Sequence, residues 1–178
     1  ANDFAKGTSS RSTKLVHGGV RYLEQGNLKL VREALKERGW LLQNAPQVTH
    51  KLGFVIPAFS FVQKLYYGAG LKFYDVLSGK LSLGPTKLLS KKKTIDFLPG
   101  INTKNLSGGI VYYDGQFDDA RLAINLANTA AKHNAVLINY CEAVSLLKTK
   151  NSSAGKQEEV CGVVAEDIIS NKIFEIKS

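Results

Sequence analysis

The chain has few cysteines, no long apolar run and no secretion signal, and each absence narrows its possible functions. Cys141 and Cys161 are the only cysteines among 178 residues, too few for a disulfide framework or a cysteine-based zinc site. We expect both to be inert thiols buried in strands, and we expect no bound metal. No apolar run reaches the roughly 18 residues that cross a bilayer, and residues 1–14 lack the apolar centre of a signal peptide. The expected location is therefore a reducing cytoplasm.

The positive net charge admits several kinds of anionic partner. Twenty-four Lys and Arg against 15 Asp and Glu give a formal charge of +9, a balance that suits nucleic acid or an anionic membrane. The positive residues are spread along the chain apart from the run Lys91–Lys93, and no nucleic-acid-binding motif accompanies them. We interpret this run as a solvated surface. The alternatives are contact with an anionic membrane or partner and, less favoured, nucleic acid.

The chain also lacks the fingerprint G-x-G-x-x-G, a motif that follows an apolar strand and holds the pyrophosphate of a dinucleotide. The pairs Gly18-Gly19 and Gly108-Gly109 do not have that spacing. The sequence therefore has no dinucleotide-binding motif of this kind.

Length and periodicity indicate an α+β (mixed α/β) chain of one domain or one and a half. Caps and apolar stripes predict helices over residues 27–43, 61–77 and 118–133, the first capped by Asn27 and the last by Asp118. Runs of β-prone residues predict strands at 48–57, 109–114, 136–138, 143–148, 160–167 and 173–176. The segments expected to be turns or loops are Asp114-Gly115, 78–107 with one short helix, 150–156 and 170–172.

Residues 7–24 contain the strongest functional signal. Five hydroxyl side chains fall within seven residues, at Thr8, Ser9, Ser10, Ser12 and Thr13. They precede Leu15–Glu24, which we predict to be helical, and hydroxyls with free N–H groups at the start of a helix bind phosphates. On such a helix His17 and Arg21 share one face. A proton-transfer group and a phosphate-binding guanidinium would then point into one pocket.

This segment resembles T-S-S-x-S-S/T-K-L-I/V-H-G-G-x-R-Y-L, a signature of the FAD-dependent glycerol-3-phosphate dehydrogenase and glycerophosphate oxidase family. The likeness continues at Asn44-Ala45-Pro46, at Tyr112–Arg121 (Y-x-D-x-x-x-D-D-A-R) and at Ile138–Val144, in order over nearly the whole chain. The resemblance implies an enzyme that oxidises sn-glycerol 3-phosphate to dihydroxyacetone phosphate by hydride transfer to FAD. It implies quinone as the acceptor, with oxygen as the alternative, and peripheral contact with the cytoplasmic membrane.

The same resemblance implies roles for individual residues. His17 would be the catalytic group that polarises or deprotonates the C2 hydroxyl, unless it is a packed histidine that orients a neighbour. Arg21 would bind the substrate phosphate rather than form a structural salt bridge, and Tyr22 would close the pocket or simply pack. The implied cofactor-binding residues are Thr8, Ser9, Ser10, Ser12, Thr13, Lys14, Leu15, Gly18, Gly19, Ala143 and Val144.

The family's order of segments implies parts of two domains. Residues 1–47 would be an FAD-domain segment, 48–117 a substrate or cap-domain segment, and 118–178 a helix plus β-hairpin that returns to the FAD domain. In the family the dinucleotide fingerprint lies before the T-S-S segment. We therefore expect the chain to be an internal piece of a longer flavoprotein that is inactive by itself. A basic module that binds anionic lipid or nucleic acid is the alternative from another class.

Overall fold

The computed structural model describes residues 2–150 and 158–177, which divide into two compact units. The larger unit comprises residues 12–122, and the smaller unit comprises the residues up to Arg11 together with those from Ala123 onward. Both contain helix and antiparallel sheet, which confirms the α+β architecture. The assignment of segments 1–47, 48–117 and 118–178 to parent domains stays a prediction.

The helices and strands follow one another unevenly along the chain. The helices are α1 (Thr8–Arg11), α2 (Val20–Glu24), α3 (Leu28–Asn44), α4 (Phe61–Ser78), α5 (Lys91–Phe97) and α6 (Asp119–Lys132), with a single 3-10 turn at Gly79–Leu81 in the described part. The strands are β1 (Leu15–Val16), β2 (Thr49–Ala58), β3 (Lys87–Leu89), β4 (Gly108–Phe117), β5 (Cys141–Lys150), β6 (Glu158–Asp167) and β7 (Lys172–Lys177).

Polar side chains cap the three long helices. The Asn27 side-chain oxygen accepts a hydrogen bond from the backbone N–H of Leu30 at 3.2 Å. Ser60 caps α4 in the same way, and the Asp118 carboxylate accepts from the N–H of Arg121 at 3.1 Å. Such caps satisfy N–H groups that the first helical turn leaves unpaired. The three predicted long helices are confirmed, because each begins and ends within two residues of the expected positions. The caps at Asn27 and Asp118 are confirmed by their hydrogen bonds.

Strand β4 is the centre of the sheet in the larger unit. Strand β2 pairs with it antiparallel along its full length, from Thr49 opposite Phe117 to Ala58 opposite Gly108. Strands β1 and β3 share the other edge of β4, where they pair with its end and with its first half respectively. Residues 112–114 in the middle of β4 therefore pair only with β2, and on the other edge they lie between the ends of β3 and β1.

Two apolar clusters hold α3 and α4 against this sheet. Val31 and Leu35 of α3 pack on Tyr74 of α4, and the second cluster joins Leu71 of α4 to Ala58 and Ile110 on the sheet. Val20 of α2 packs against both clusters. Burial of this apolar surface is the main force that fixes α2 in place.

The smaller unit contains a three-stranded antiparallel meander in the order β5-β6-β7. A register shift at Ala143 and Ser145 leaves Val144 without an opposite partner in the ladder, as in a β-bulge. The predicted turn between β6 and β7 is confirmed. Of the predicted loop 150–156, Lys150 ends β5 and residues 151–156 lie outside the described residues.

Some predictions of secondary structure are wrong. Leu15–Glu24 is not one helix: Leu15 and Val16 pair with β4, and Gly19 has φ +75°, a left-handed conformation that interrupts a helix before α2 begins. Asp114-Gly115 is not a turn but the interior of β4. Residues 136–138 are not a strand, because three β-prone residues need a partner edge to form a ladder. The Val136 side chain is 86% exposed.

The region 78–107 contains the expected short helix, α5, which begins with the exposed lysines 91–93. It also contains strand β3, which the loop prediction missed. Cys141 and Cys161 are free thiols as expected, but both are half-buried rather than fully buried.

Leu35→Ala should lower the free energy of unfolding by about 2–5 kcal/mol, because it empties a site in the core that is 1% exposed. Urea denaturation followed by circular dichroism measures this loss. Leu30→Ala on the same helix, where the side chain is 37% exposed, is the control and should lower it by less than half as much. Equal losses for the two variants would contradict the packing described for α3.

Candidate active site

A cleft of about 600 Å³ opens in the larger unit beside the centre of the sheet. This volume is in the range of small-molecule sites. Its lining comes from the segment that leads into α2, from α2 itself and from the neighbouring strands β2 and β4. The lining residues are Thr13, Leu15, His17, Gly19, Val20, Arg21, Tyr22, Gln25, Phe54, Tyr112 and Asp114.

His17 and Arg21, the predicted catalytic and phosphate-binding residues, both line this cleft, although they do not lie on one helix as predicted. His17 lies in the short connection between β1 and α2, whereas Arg21 lies in the first turn of α2. Both side chains are exposed, and both line the cleft with Tyr22, which is 40% exposed. The prediction that they share one pocket holds in the structure, although the reason given for it was wrong.

The predicted cofactor-binding residues fall into separate groups. Thr13, Leu15 and Gly19 line the cleft, and Gly18 lies buried beside them. Thr8, Ser9 and Ser10 lie in α1, and Ala143 and Val144 lie in β5, all in the smaller unit. The structure describes each of these positions, and their cofactor-binding roles stay predictions.

Two residues of the hydroxyl-rich segment contribute structurally to the larger unit. The Ser12 hydroxyl donates to the Asp119 carboxylate at 2.7 Å, which ties the approach to β1 to the start of α6. The Lys14 carbonyl accepts from the N–H of Phe117 at 3.0 Å and so extends the pairing of β1 with β4. Lys14 itself has φ +60°, a turn conformation that is uncommon for a residue with a side chain.

An aromatic pair forms one face of the cleft. Phe54 of β2 and Tyr112 of β4 are opposite one another in the ladder, and their rings stack with centroids 5.4 Å apart at 25°. Burial, and then the negative charge of Asp114, raises the pKa of Tyr112 above its ordinary value. Its hydroxyl therefore stays protonated at neutral pH and can donate a hydrogen bond.

The carboxylate of Asp114, only 2% exposed, is a site residue that sequence reasoning missed. One oxygen, Oδ1, accepts from Arg38 Nη1 at 3.0 Å and from the N–H of Gly115 at 3.0 Å. The other oxygen, Oδ2, accepts from the Tyr74 hydroxyl at 3.0 Å. The N–H of Gly18 points at both, at 3.2 and 3.4 Å. The buried carboxylate is thus surrounded by donors, as burial requires.

Arg38 and Tyr74 are each 1% exposed and come from different helices, α3 and α4. Arg38 Nη2 also donates to the carbonyl of Leu81 at 3.1 Å, which fixes the guanidinium plane. The sequence did contain a signal for this pair. Arg38 falls on the apolar stripe of α3 that Val31 and Leu35 define, and Asp114 interrupts an apolar strand. A lone cation and a lone anion at core positions predict a buried ion pair.

The two glycines after His17 are needed for different reasons. A Cβ at Gly18 would overlap the side chain of Leu35 and the hydroxyl of Tyr74, so the backbone approaches the core as closely as it can. Gly19 has φ +75°, where a side chain is strained. Together they allow the chain to leave β1, pass over Asp114 and enter α2 within three residues.

Comparison with models of protein families shows to which family the chain belongs. A family model described as FAD dependent oxidoreductase matches residues 1–172. The chain belongs to this family of FAD-dependent oxidoreductases. The mixed α/β fold and the family predicted from the motifs are both confirmed.

Individual relatives agree with this assignment. Mitochondrial glycerol-3-phosphate dehydrogenase from Rattus norvegicus is 43% identical over 99% of this chain and 25% of its own length. The corresponding enzyme from Saccharomyces cerevisiae is 42% identical over 99% of this chain and 27% of its own. The chain therefore spans about a quarter of the length of these curated relatives.

Solved structures show the same fold. Glycerol-3-phosphate dehydrogenase from Bacillus halodurans, complexed with FAD, superposes with a TM-score of 0.65 at 32% identity, over 99% of this chain and 26% of that one. L-α-glycerophosphate oxidase from Mycoplasma pneumoniae, at 16% identity and a TM-score of 0.57 over 90% of this chain and 40% of that one, shares the fold. Among the residues that the structure describes, no helix is long and apolar enough to span a bilayer.

Tyr74→Phe should make the protein less sensitive to alkali. Burial, and then the charge of Asp114, raises the pKa of Tyr74 well above its ordinary value of 10.0. Above about pH 10 the unfolded state loses this proton while the folded state keeps it, so stability falls by about 1.4 kcal/mol per pH unit for this one group. The variant should lack that part of the decline.

Urea denaturation at a series of pH values on both sides of 10 measures the slope. Tyr66→Phe is the matched control and should leave the slope unchanged, because the Tyr66 side chain is 66% exposed and its hydroxyl meets water in both states. A wild-type slope in the Tyr74 variant would contradict a buried, protonated Tyr74.

Proposed function

We propose that the chain is part of an FAD-dependent glycerol-3-phosphate dehydrogenase, and that its cleft binds sn-glycerol 3-phosphate for oxidation to dihydroxyacetone phosphate. One observation carries the proposal: His17 and Arg21 line a single cleft in a member of the FAD-dependent oxidoreductase family. The names of the relatives from Rattus norvegicus and Saccharomyces cerevisiae support the choice of substrate.

The residues present fit part of a flavin site. The cleft has an apolar aromatic face, Phe54 with Tyr112, and its lining includes a glycine-bearing turn that has no side chain at Gly19. Thr13, Leu15 and Gly19 are the cleft residues that would contact FAD, and the bound cofactor supplies the acceptor for the hydride that leaves C2. A flat ring system suits such a face.

The side chains supply binding and proton transfer. The guanidinium of Arg21 offers paired N–H donors that match the oxygens of a phosphate monoester. With the phosphate held there, His17 takes the proton of the C2 hydroxyl as the C2 hydrogen departs with its electron pair and the carbonyl forms. Tyr22, the residue after Arg21 in α2, limits the cleft beside the phosphate.

We further propose quinone as the final acceptor, with oxygen as the alternative, and a cytoplasmic protein in peripheral contact with the cytoplasmic membrane. The exposed lysines at the start of α5 and the net charge of +9 support contact with an anionic surface. Several relatives are named as mitochondrial enzymes. Since the 178 residues contain no G-x-G-x-x-G, we expect them to be inactive by themselves.

Arg21→Ala in the full-length protein with FAD bound should raise the KM for glycerol 3-phosphate by about 10- to 100-fold, because it removes charge-assisted hydrogen bonds to the phosphate. Steady-state kinetics with glycerol 3-phosphate and with glycerol measures this. The loss should be absent with glycerol, which has no phosphate. Arg32→Ala, an exposed arginine on α3 outside the cleft, is the control and should keep the original KM. Equal losses on both substrates would overturn the role of Arg21.

His17→Leu should lower kcat by about 10²- to 10⁴-fold, the range typical for loss of a general base. Anaerobic bleaching of the flavin band after mixing with glycerol 3-phosphate measures the step directly. His133→Leu, an exposed histidine that follows α6, should bleach at the original rate.

The same preparation separates the competing functions. Peroxide formed in stoichiometric yield with oxygen would favour the oxidase, and rapid reduction of a quinone would favour the dehydrogenase. A colourless protein that is retained on DNA or anionic vesicles and released by salt would support the basic binding module instead.

A further inference from the structure

We propose that Asp114 is a positioning residue for the oxidation of glycerol 3-phosphate: it holds the backbone of Gly18 and thereby keeps His17 at the cleft. The inference rests on the proposed function, because Asp114 can affect catalysis only if His17 acts on the substrate. The sequence motifs give Asp114 no role of its own beyond its place in the family segment Tyr112–Arg121.

The contact is direct and its base is rigid. Gly18 follows His17 immediately, and its N–H is directed at both carboxylate oxygens of Asp114, at 3.2 and 3.4 Å. Asp114 lies inside β4 with Leu52 opposite it in the ladder. The backbone from which the carboxylate projects is therefore held by the sheet, and the carboxylate is a fixed point for the turn.

Two further donors lock the carboxylate itself. Arg38 donates from α3 to Oδ1 at 3.0 Å, and Tyr74 donates from α4 to Oδ2 at 3.0 Å. Because each oxygen accepts from a different helix, rotation about the Cβ–Cγ bond would break both bonds. The orientation in which the carboxylate receives Gly18 is therefore set by three separate elements.

Stability alone is a poor explanation for this arrangement. Desolvation of an ion pair offsets much of its attraction, and apolar residues of the same volume often serve a core at least as well. Asp114 is nevertheless charged, buried and part of the cleft lining. What the carboxylate provides and an apolar side chain cannot is an acceptor for the N–H beside His17.

The turn needs such an acceptor, because local structure restrains it little. It lies between a two-residue strand and a five-residue helix, and Gly18 and Gly19 have the widest conformational freedom of any residue type. A displacement of about 1 Å at a catalytic group can cost about 10²-fold in rate. Loss of the bond from Gly18 would allow His17 such a displacement.

Asp114→Asn in the full-length protein with FAD bound replaces one acceptor oxygen by a donor that faces Arg38, Tyr74 and the glycine N–H groups. We expect kcat for glycerol 3-phosphate to fall about 10- to 100-fold. The KM should change little, because Arg21 is untouched. Asp96→Asn, an exposed carboxylate on α5, is the matched control and should leave both constants unchanged.

A double-mutant cycle with His17→Leu tests whether Asp114 acts through His17. In the His17→Leu background, Asp114→Asn should cause no further loss of kcat, since the group that it positions is already gone. Multiplicative losses would overturn this inference alone. An unchanged kcat for His17→Leu by itself would overturn the proposed function and the inference with it.

Tyr74→Phe is the second variant, because it keeps the ion pair of Asp114 with Arg38 if Asp114→Asn fails to fold. It should lower kcat less than Asp114→Asn and should show the same lack of additivity with His17→Leu. Hydrogen exchange followed by mass spectrometry supplies a readout other than activity. Peptides covering residues 15–24 should exchange faster in either variant while those covering α5 keep their rate; equal acceleration in both segments would overturn the inference.

Discussion

Four hydrogen-bond donors converge on the carboxylate of Asp114 in the middle of β4, and most of the larger unit is arranged around them. Arg38 connects it to α3, Tyr74 connects it to α4, and the N–H of Gly18 connects it to the turn that carries His17. A buried carboxylate has to be surrounded in this way, because an unpaired charge in a core is far more costly than an unpaired amide. The requirement to satisfy one side chain therefore fixes the positions of two helices and of a candidate catalytic turn.

The apolar clusters on either side make this polar centre possible. Val31, Leu35 and Leu71 exclude water and supply the free energy that offsets the desolvation of Asp114 and Arg38. Gly18 allows this close packing because it has no Cβ, which would collide with Leu35 and Tyr74. The cleft thus has a rigid polar base beneath an exposed rim that bears His17 and Arg21, an arrangement that orders catalytic groups while leaving them open to a ligand.

Local sequence was a good guide wherever neighbouring residues decide the outcome. Asn27 and Asp118 cap the helices that they were expected to cap, because a cap depends on residues three positions away. It was a poor guide where distant residues decide. Leu15 and Val16 leave the expected helix to pair with β4, and Asp114-Gly115 continues a strand although the dipeptide is typical of turns. The Arg38–Asp114 pair, 76 residues apart in the chain, was visible only as two charges at core positions.

The amino-acid sequence by itself determined the family, the α+β composition, the long helices and the prediction that His17 and Arg21 act together, because motifs and caps are read over a few adjacent residues. Only the tertiary structure decided how those two residues meet, which carboxylate supports them and why the glycines between them are needed. The physical reason is that a strand ladder and a buried charge are satisfied by partners that no local pattern specifies. His17 reaches the cleft because β4, α3 and α4 hold the turn in which it lies.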